Sequence, residues 1–521
     1  MNEIIKAKGR RGGRKAMMAM RAAPLVEDKR PIVPGMTSGS FRPLSDSDIK
    51  NIHEAALNVL ETIGFSDAIP TCIEAVTTLG GFVNEAGRLC FPRALVEDVL
   101  TYANRDFTLF GQDPKHDLHP QGTRVYFGTG GAAVHIVDPV SGDYRDSQLA
   151  DLYNMARLVD SLDNIHYFQR TAVPRDMITG HDLDINTLYA SVSGTSKHVG
   201  TSFVNPDHVS EALEILHAIA GGEDKWRARP FVSQSNCFVV PPLKFAQESC
   251  QCLEVAVHGG MTVLLLSAGQ AGATAPASLA GAVTQAVAEC LAGLVYVNAI
   301  KKGAPAIFGT WPFVSDLRTG AMSGGSPEQA LLSSACAQMG NFYDLPTGAA
   351  SGMSDSKIPD SQSGSEKGYS HALIGNSGAN LIYESAGMHA SLLGACLESF
   401  VIDNDTIGAA LRTIRGITTD PASLSVDVMR DVCLNGPGHY LGSEQTLTLM
   451  ETDFVYPAVG DRSSPNQWEE SLRPTALSNA IIKTKQILES HYPSHISPDV
   501  DKDLRKRFDI KLDRNLMQPN T

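Results

Sequence analysis

The chain has 521 residues, 43% of them apolar and 19% charged, and a formal net charge of −14 at pH 7. At about 150 residues per domain this allows three or four domains, or one α/β barrel of about 250 residues with an accessory region. The composition excludes global disorder, and the acidic balance excludes a nucleic-acid surface as the main partner.

The charge is unevenly placed. Residues 1–30 hold nine Lys/Arg and three Asp/Glu, a balance of +6, which leaves −20 on the other 491. The basic stretch Lys6 to Lys15 lacks the apolar core of a secretory signal. Residues 1–43 read as an extended basic arm, either a loose tail or a strap against an acidic neighbouring subunit, which makes a homo-oligomer the expectation. Nine cysteines without a CxxC pair predict buried free thiols in a reducing cytoplasm.

A helix follows the arm. Ser45 caps it, Ile49, Ile52, Ala56, Leu57, Leu60 and Ile63 form one apolar stripe, and Gly64 stops it. A second helix spans Pro92 to Tyr102. Arg124–Phe127, a Gly-rich turn and Ala133–Val137 then read as β structure, with a further turn at Pro139–Asp143. Residues 44–145 are therefore expected to form an accessory α+β region.

From about residue 146 short β-branched runs alternate with helical segments. Candidate strands are 166–170, 198–204, 230–233, 262–267, 306–309, 346–350 and 380–383. Helices fit between them at 210–220, 245–258, 279–301 and 327–340, the last opened by Ser326, Pro327 and Gln329. Spacing of about 30–40 residues is the βα repeat of a parallel sheet, and predicts a TIM (β/α)8 barrel over 146–404 whose eighth strand stays unplaced. Residues 405–521 read as a helical and loop-rich extension. The apolar run 277–300 is interrupted by Glu289, and reads as a core helix rather than a membrane span.

In a barrel, chemistry belongs to the loops after the strands. These read Gln234-Ser-Asn236, Ala268-Gly-Gln270, Thr310-Trp-Pro-Phe313 and Ser351 to Asp360, joined by Glu384 at a strand end. There is no HExxH and no Walker loop, and the 15 histidines show no metal-ligand spacing, so no metal site is expected. Gly128-Thr-Gly-Gly131 reads as a tight turn. Phe308, Trp311, Phe313, Tyr343, Tyr369 and Tyr383 gather near strand ends, and with Glu384 they are either packing residues or a cage for a quaternary ammonium. Lys357 lies between Asp355 and Asp360. Those carboxylates oppose the lowered pKa a Schiff-base lysine needs, so a salt bridge is the better reading.

Several of these stretches resemble the trimethylamine methyltransferase (MttB-type) superfamily over about residues 36–490. They are Met322-Ser-Gly-Gly-Ser-Pro-Glu-Gln-Ala-Leu-Leu332, Gly352-Met-Ser-Asp-Ser-Lys-Ile-Pro-Asp-Ser-Gln362, Gly378-Ala-Asn-Leu-Ile-Tyr383, Phe127–Gly131 and Gly436–Gly442. The resemblance implies a TIM barrel that passes a methyl group from a methylated amine to the Co(I) of a corrinoid (cobalamin) carried by a separate protein. The archaeal trimethylamine enzymes have pyrrolysine in the loop before the DSK sequence, and the matching position here is Met353. Met cannot form the imine adduct. The resemblance is therefore to the non-pyrrolysine branch, which is similar to glycine betaine:corrinoid methyltransferases. A quaternary ammonium already carries the charge that makes an amine a leaving group, so no acid or base is obligatory. Trp311, Phe313, Tyr383 and Phe308 are then expected to hold the cation, with Glu384 as counter-charge. Met353 lines the wall beside the methyl group or fills a gap. Gln234, Asn236 or an arginine would take a betaine carboxylate. The competing readings are a barrel lyase or aldolase using Lys357 and a non-catalytic betaine-binding protein.

Overall fold

A computed structural model of the protein describes residues 30–436 and 438–519. The basic stretch Lys6–Lys15 lies outside the described residues.

Eight parallel strands make the barrel: β1 Arg124–Phe127, β2 Phe168–Gln169, β3 Val199–Thr201, β4 Val232–Asn236, β5 Thr262–Ser267, β6 Ala306–Thr310, β7 Thr347–Ala350 and β8 Leu381–Tyr383. All seven anticipated strands are present. The eighth is β1, which the sequence had placed in the accessory layer. It pairs in parallel with β8, and the parallel bridge of Gly128 to Tyr167 closes the ring onto β2. Gly128–Gly131 is accordingly no tight turn. It extends β1 alongside residues 167–172, with Ala133 bridged to Ala172. The turn at 139–143 does join a hairpin, His135–Val137 with Tyr144–Asp146.

Each strand is followed by a helix: Leu149–Ser161, Gly180–Gly194, Pro206–Ala220, Gln247–His258, Leu279–Ile300, Pro327–Phe342, Ser361–Ser377 and Leu397–Arg415. Register separates the two faces of the sheet, because paired residues point the same way. Val263, Leu265, Ala306 and Phe308 pack outward on the helices. Tyr126, Tyr167, Leu264, Leu266, Ile307, Ala350, Leu381 and Tyr383 fill the inside.

Helix Leu279–Ile300 is apolar and long enough to cross a membrane by composition, and 83% of its most apolar window is buried in the molecule. Its one charge has partners. Glu289 accepts from Leu243 N at 3.0 Å, Gln285 Nε2 at 3.1 Å and Ser267 Oγ at 2.6 Å. Buried carboxylates are tolerated when so satisfied. Helix Asp46–Thr62 packs on this helix, with a complete capping box between Ser45 and Asp48. Five of its six stripe residues are buried, whereas Ile63 lies past the last turn and is 45% exposed. Ser326 caps Pro327–Phe342 through Gln329 N at 3.2 Å, but the Gln329 amide turns to Ser333 Oγ, so the reciprocal half of the box is missing.

Residues 416–456, with residues 30–33, form a second compact unit among the described residues. It contains helices Val426–Arg430 and Glu444–Thr452 and holds the described part of the 436–442 motif.

Candidate active site

The strand ends nominated by the sequence converge at the carboxyl end of the barrel. Trp311 follows β6 and lies 5.1 Å from Tyr383, the last residue of β8, with the two rings tilted by 46°. Tyr383 meets Tyr167 edge-on at 5.0 Å, and Trp311 meets Phe313 at 6.5 Å. Met353 belongs to the same apolar cluster. These rings touch one another, so they present an aromatic wall rather than an open three-sided cage.

Period-two geometry removes three nominated residues from this wall. Phe308 points outward and packs on Tyr343 at 5.7 Å, while its neighbour Ile307 faces in. Gln234 and Asn236 lie inside β4 rather than in the loop after it. They pair with Val263 and Leu265, both outward-facing. Asn236 Nδ2 donates to Ser249 O at 2.9 Å in helix Gln247–His258. The inward residue between them is Ser235, whose hydroxyl has no partner.

Glu384 is the most unusual group at the mouth. It is 3% exposed, and its Oε2 has no hydrogen-bond partner. Burial pushes its carboxyl up to about 8, so at neutral pH it is mostly protonated. Its backbone has φ +62, a conformation most residues avoid. Two glycines hold it there. A Cβ on Gly130 would lie 3.0 Å from Glu384 N, and one on Gly352 would lie 3.0 Å from Glu384 O. The glycines of Phe127–Gly131 therefore allow close backbone approach to the site rather than a phosphate cradle. Nearby, Tyr167 OH and Trp311 Nε1 are also buried without partners. Such a concentration of unsatisfied polar atoms marks a place built for something other than protein.

The loop carrying Met353 is rigidly stapled. Asp355 accepts from Ser323 Oγ at 2.6 Å and Ser391 Oγ at 2.7 Å, tying the loops after β6 and β8 to the loop after β7. Glu366 accepts from Ser354 Oγ at 2.6 Å and Asp355 N at 2.8 Å. Ser351 Oγ bonds His371 Nδ1 at 2.7 Å. Beneath lies the buried pair Lys367–Asp403 at 2.6 Å, whose carboxylate also accepts from Gly387 N. The Asp-Ser-Lys sequence thus holds Met353 in place.

Lys357 is exposed, and its ammonium donates to the backbone carbonyl of Asp355 at 2.6 Å. The lysine whose pKa burial does lower, to about 8, is Lys197. It donates to the carbonyls of Val159, Leu162 and Ile165 at 2.6, 2.7 and 2.6 Å, sealing the last turn of Leu149–Ser161 at the opposite end of the barrel. Replacing Lys357 by Ala is expected to change kcat/KM for the chain's reaction by less than about twofold, as for other exposed side chains. A loss above tenfold in that assay would return Lys357 to the site.

Two mouth residues escaped the sequence analysis. Cys237 follows β4 and is solvent-accessible, yet surrounding atoms push its thiol pKa up and it senses both Arg170 and Glu384. Arg170 follows β2. Their signal was available, since both sit at the carboxyl ends of strands. Open depressions of about 350 and 470 Å³ lie at the other end of the barrel, lined by Arg105, Gln121 and Pro346 and by Arg42, Gln338 and Ser377 respectively. Neither includes any residue of the aromatic wall. Among the described residues no group of three or more His, Cys, Asp or Glu is placed to hold a metal ion.

The family model described as trimethylamine methyltransferase (MTTB) matches residues 10–514. The chain belongs to the trimethylamine methyltransferase family. Its relatives in that family include a glycine betaine methyltransferase of Desulfitobacterium hafniense, 30% identical over 90% of this chain and 97% of the relative. A trimethylamine methyltransferase of Methanosarcina mazei is 31% identical over 90% and 94%. Among solved structures, the monomethylamine methyltransferase of Methanosarcina barkeri covers 87% of this chain and 95% of its own, at 11% identity and a TM-score of 0.47. Membership in the trimethylamine methyltransferase family supports methyl transfer from amines as the chemistry of this chain.

Proposed function

We propose that this protein transfers a methyl group from a quaternary amine, glycine betaine or a related betaine, to the Co(I) of a corrinoid brought by a partner protein in the cytoplasm. The observation that carries the reading is the composition of the barrel mouth. An aromatic wall and a buried, unpartnered carboxyl stand beside Met353, a side chain that neither forms an imine nor moves a proton.

A quaternary nitrogen needs no activation. As the methyl carbon is attacked, the C–N bond breaks, its electron pair stays on nitrogen and the amine leaves uncharged. Co(I) supplies the nucleophile. The chain's own residues orient the donor and exclude water. Trp311 and Tyr383 offer ring faces to the cation, and Glu384 offers a charge. Because positive charge disappears from nitrogen during transfer, these contacts favour the bound donor over the transition state. They should be strong enough to bind and no stronger. A carboxyl that is mostly protonated when the site is empty meets that requirement.

The rim fits a protein-borne acceptor. Loops after six strands each expose an apolar side chain: Val140 at 77%, Ile178 at 91%, Val204 at 53%, Val240 at 50%, Leu317 at 69% and Leu393 at 59%. Single exposed apolar residues need no explanation, but one on each of six loops at the same end of the barrel suits a transient protein contact. The test is a donor panel with free cob(I)alamin, scored by methylcob(III)alamin absorbance. Glycine betaine or another betaine is expected to yield methylated cobalt and the demethylated amine. Failure of every quaternary amine, with donor binding intact, would leave a binding protein instead.

A further inference from the structure

The inside of the barrel is unequally filled. Strands β5, β6 and β8 point Leu264, Leu266, Ile307, Leu381 and Tyr383 inward, with Trp311 beyond them. Strands β3 and β4 do the opposite. Ser235 pairs with Leu264, and Gly200 pairs with Ser233, so Gly200, Ser233 and Ser235 share the inward face of Leu264. None of the three is larger than serine. The interior of an eight-stranded barrel is just wide enough for its side chains or for one small ligand. Small residues on β3 and β4 leave room on that side of the barrel which the aromatic wall does not take.

Two hydrogen-bonding side chains border that room. Gln169, the last residue of β2, pairs with Gly200 and lies two positions beyond the inward Tyr167. A Cβ on Gly200 would overlap the Gln169 amide, so this glycine is what lets the amide reach across β3 toward β4. Gln169 is 6% exposed. Its backbone is bonded to Thr129 Oγ1, at 2.7 and 3.0 Å, but its amide has no hydrogen-bond partner among the described residues. Ser235 is 8% exposed, and its hydroxyl has no partner either. Deeper on the same face of β4, Ser233 Oγ does have one, His198 Nε2 at 2.9 Å. Inward polar groups are thus satisfied below the mouth and left open at it, and a buried donor without a partner is costly unless something else binds it. Arg170, one position past Gln169, belongs to the outward row of Thr201 and Gln234.

We infer that the Gln169 amide and the Ser235 hydroxyl receive the carboxylate of a zwitterionic substrate, across the barrel from the aromatic wall that takes its ammonium end. This rests on the quaternary-amine reading and adds the subsite that reads the other end of the molecule. In the strand order β2–β4 lie opposite β6–β8, which carry Trp311 and Tyr383. The amide N–H and the hydroxyl O–H are both donors, and a carboxylate only accepts. Uncharged donors suffice, because a hydrogen bond to an ionised acceptor is roughly twice as strong as one between neutral groups. Trimethylamine and tetramethylammonium offer no acceptor. A site whose buried donors are left unpaired by a ligand rejects that ligand.

The test is equilibrium binding by calorimetry, with glycine betaine and tetramethylammonium as probes, on the full chain and on Gln169→Met and Ser235→Ala. The intact protein is expected to prefer glycine betaine by at least about tenfold, the scale of one hydrogen bond to a charged group. Gln169→Met keeps the length of the side chain and removes its donors. It should lose at least about tenfold for glycine betaine and stay within about threefold for tetramethylammonium, which also reports that the pocket is folded. Ser235→Ala, which removes a single oxygen, should lose at least about fivefold for glycine betaine and likewise spare tetramethylammonium. No preference for glycine betaine in the intact protein, unchanged glycine betaine affinity in either variant, or an equal loss of both ligands would overturn the inference while leaving the quaternary-amine reading intact. Binding of neither probe by the intact protein would overturn both.

Discussion

Replacing Trp311 by Ala is expected to lower kcat/KM for the quaternary donor by about 100-fold, or about 2.7 kcal/mol. The loss should appear mainly in KM. Indole is the strongest aromatic partner for a cation, and a desolvated contact of this kind contributes about 2 kcal/mol or more. Trp311 also holds Tyr383 at 5.1 Å, so its removal loosens the second ring. Because nitrogen loses its charge during transfer, the contact is no stronger at the transition state than in the bound donor, and kcat should not fall. Emptying a site that is 5% exposed also costs about 3–5 kcal/mol of stability, so a folded baseline is needed. Trp311→Phe supplies it, keeping a ring face and losing less than about tenfold. Steady-state kinetics on both variants decide the matter. Equal losses in kcat and KM for Trp311→Ala, or none, would remove the ring from substrate binding.

The second large effect concerns pH. With its carboxyl at about 8, free Glu384 is ionised to roughly 3% at pH 6.5 and to half at pH 8. A quaternary cation favours the ionised form and lowers that pKa on binding. Affinity therefore rises with pH, by about tenfold between pH 6.5 and 8, and flattens above the free pKa. The sign is set by the raised value. An ordinary carboxyl near 4.5 would be ionised throughout this range and give no slope. Tyr167 and Tyr383 beside it are pushed still further above their usual phenolic range, and Cys237 is also raised, so none of the three opposes the trend below pH 8. Binding near pH 7 should release most of one proton, visible as a dependence of the calorimetric heat on buffer ionisation enthalpy. Glu384→Gln should abolish both the slope and the proton release, and weaken binding at pH 8 by about tenfold or more. A flat profile in the intact protein would place the cation away from this carboxyl.

Much of the barrel is legible because buried parallel strands are short β-branched runs at a regular interval. The missing strand failed for a local reason. Arg124–Phe127 and Ala133–Val137 flank glycines that read as a turn within an accessory region, yet the glycines serve an extended segment pressed against Tyr167 and Glu384. The strand's partners lie about 250 residues away in β8, a separation no local pattern reveals. The site failed on side-chain parity. Phe308, Gln234 and Asn236 are the right residue types at the right strands, each one position out of phase with the barrel interior. A two-residue period is unforgiving, since a shift of one reverses the face. Trp311, Phe313, Tyr383 and Met353 came together because they lie at or beyond the strand ends, where loop chemistry rather than phase decides.

The central claim is that a nitrogen already bearing four carbon substituents donates its methyl group without covalent help. The most direct measurement is the ratio of kcat/KM for glycine betaine to that for trimethylamine, with the same reduced cobalamin acceptor at pH 8. The account predicts a ratio of at least about 1,000, since trimethylamine lacks the fixed quaternary charge that makes the nitrogen a competent leaving group. A ratio near one, or a preference for trimethylamine, would contradict it.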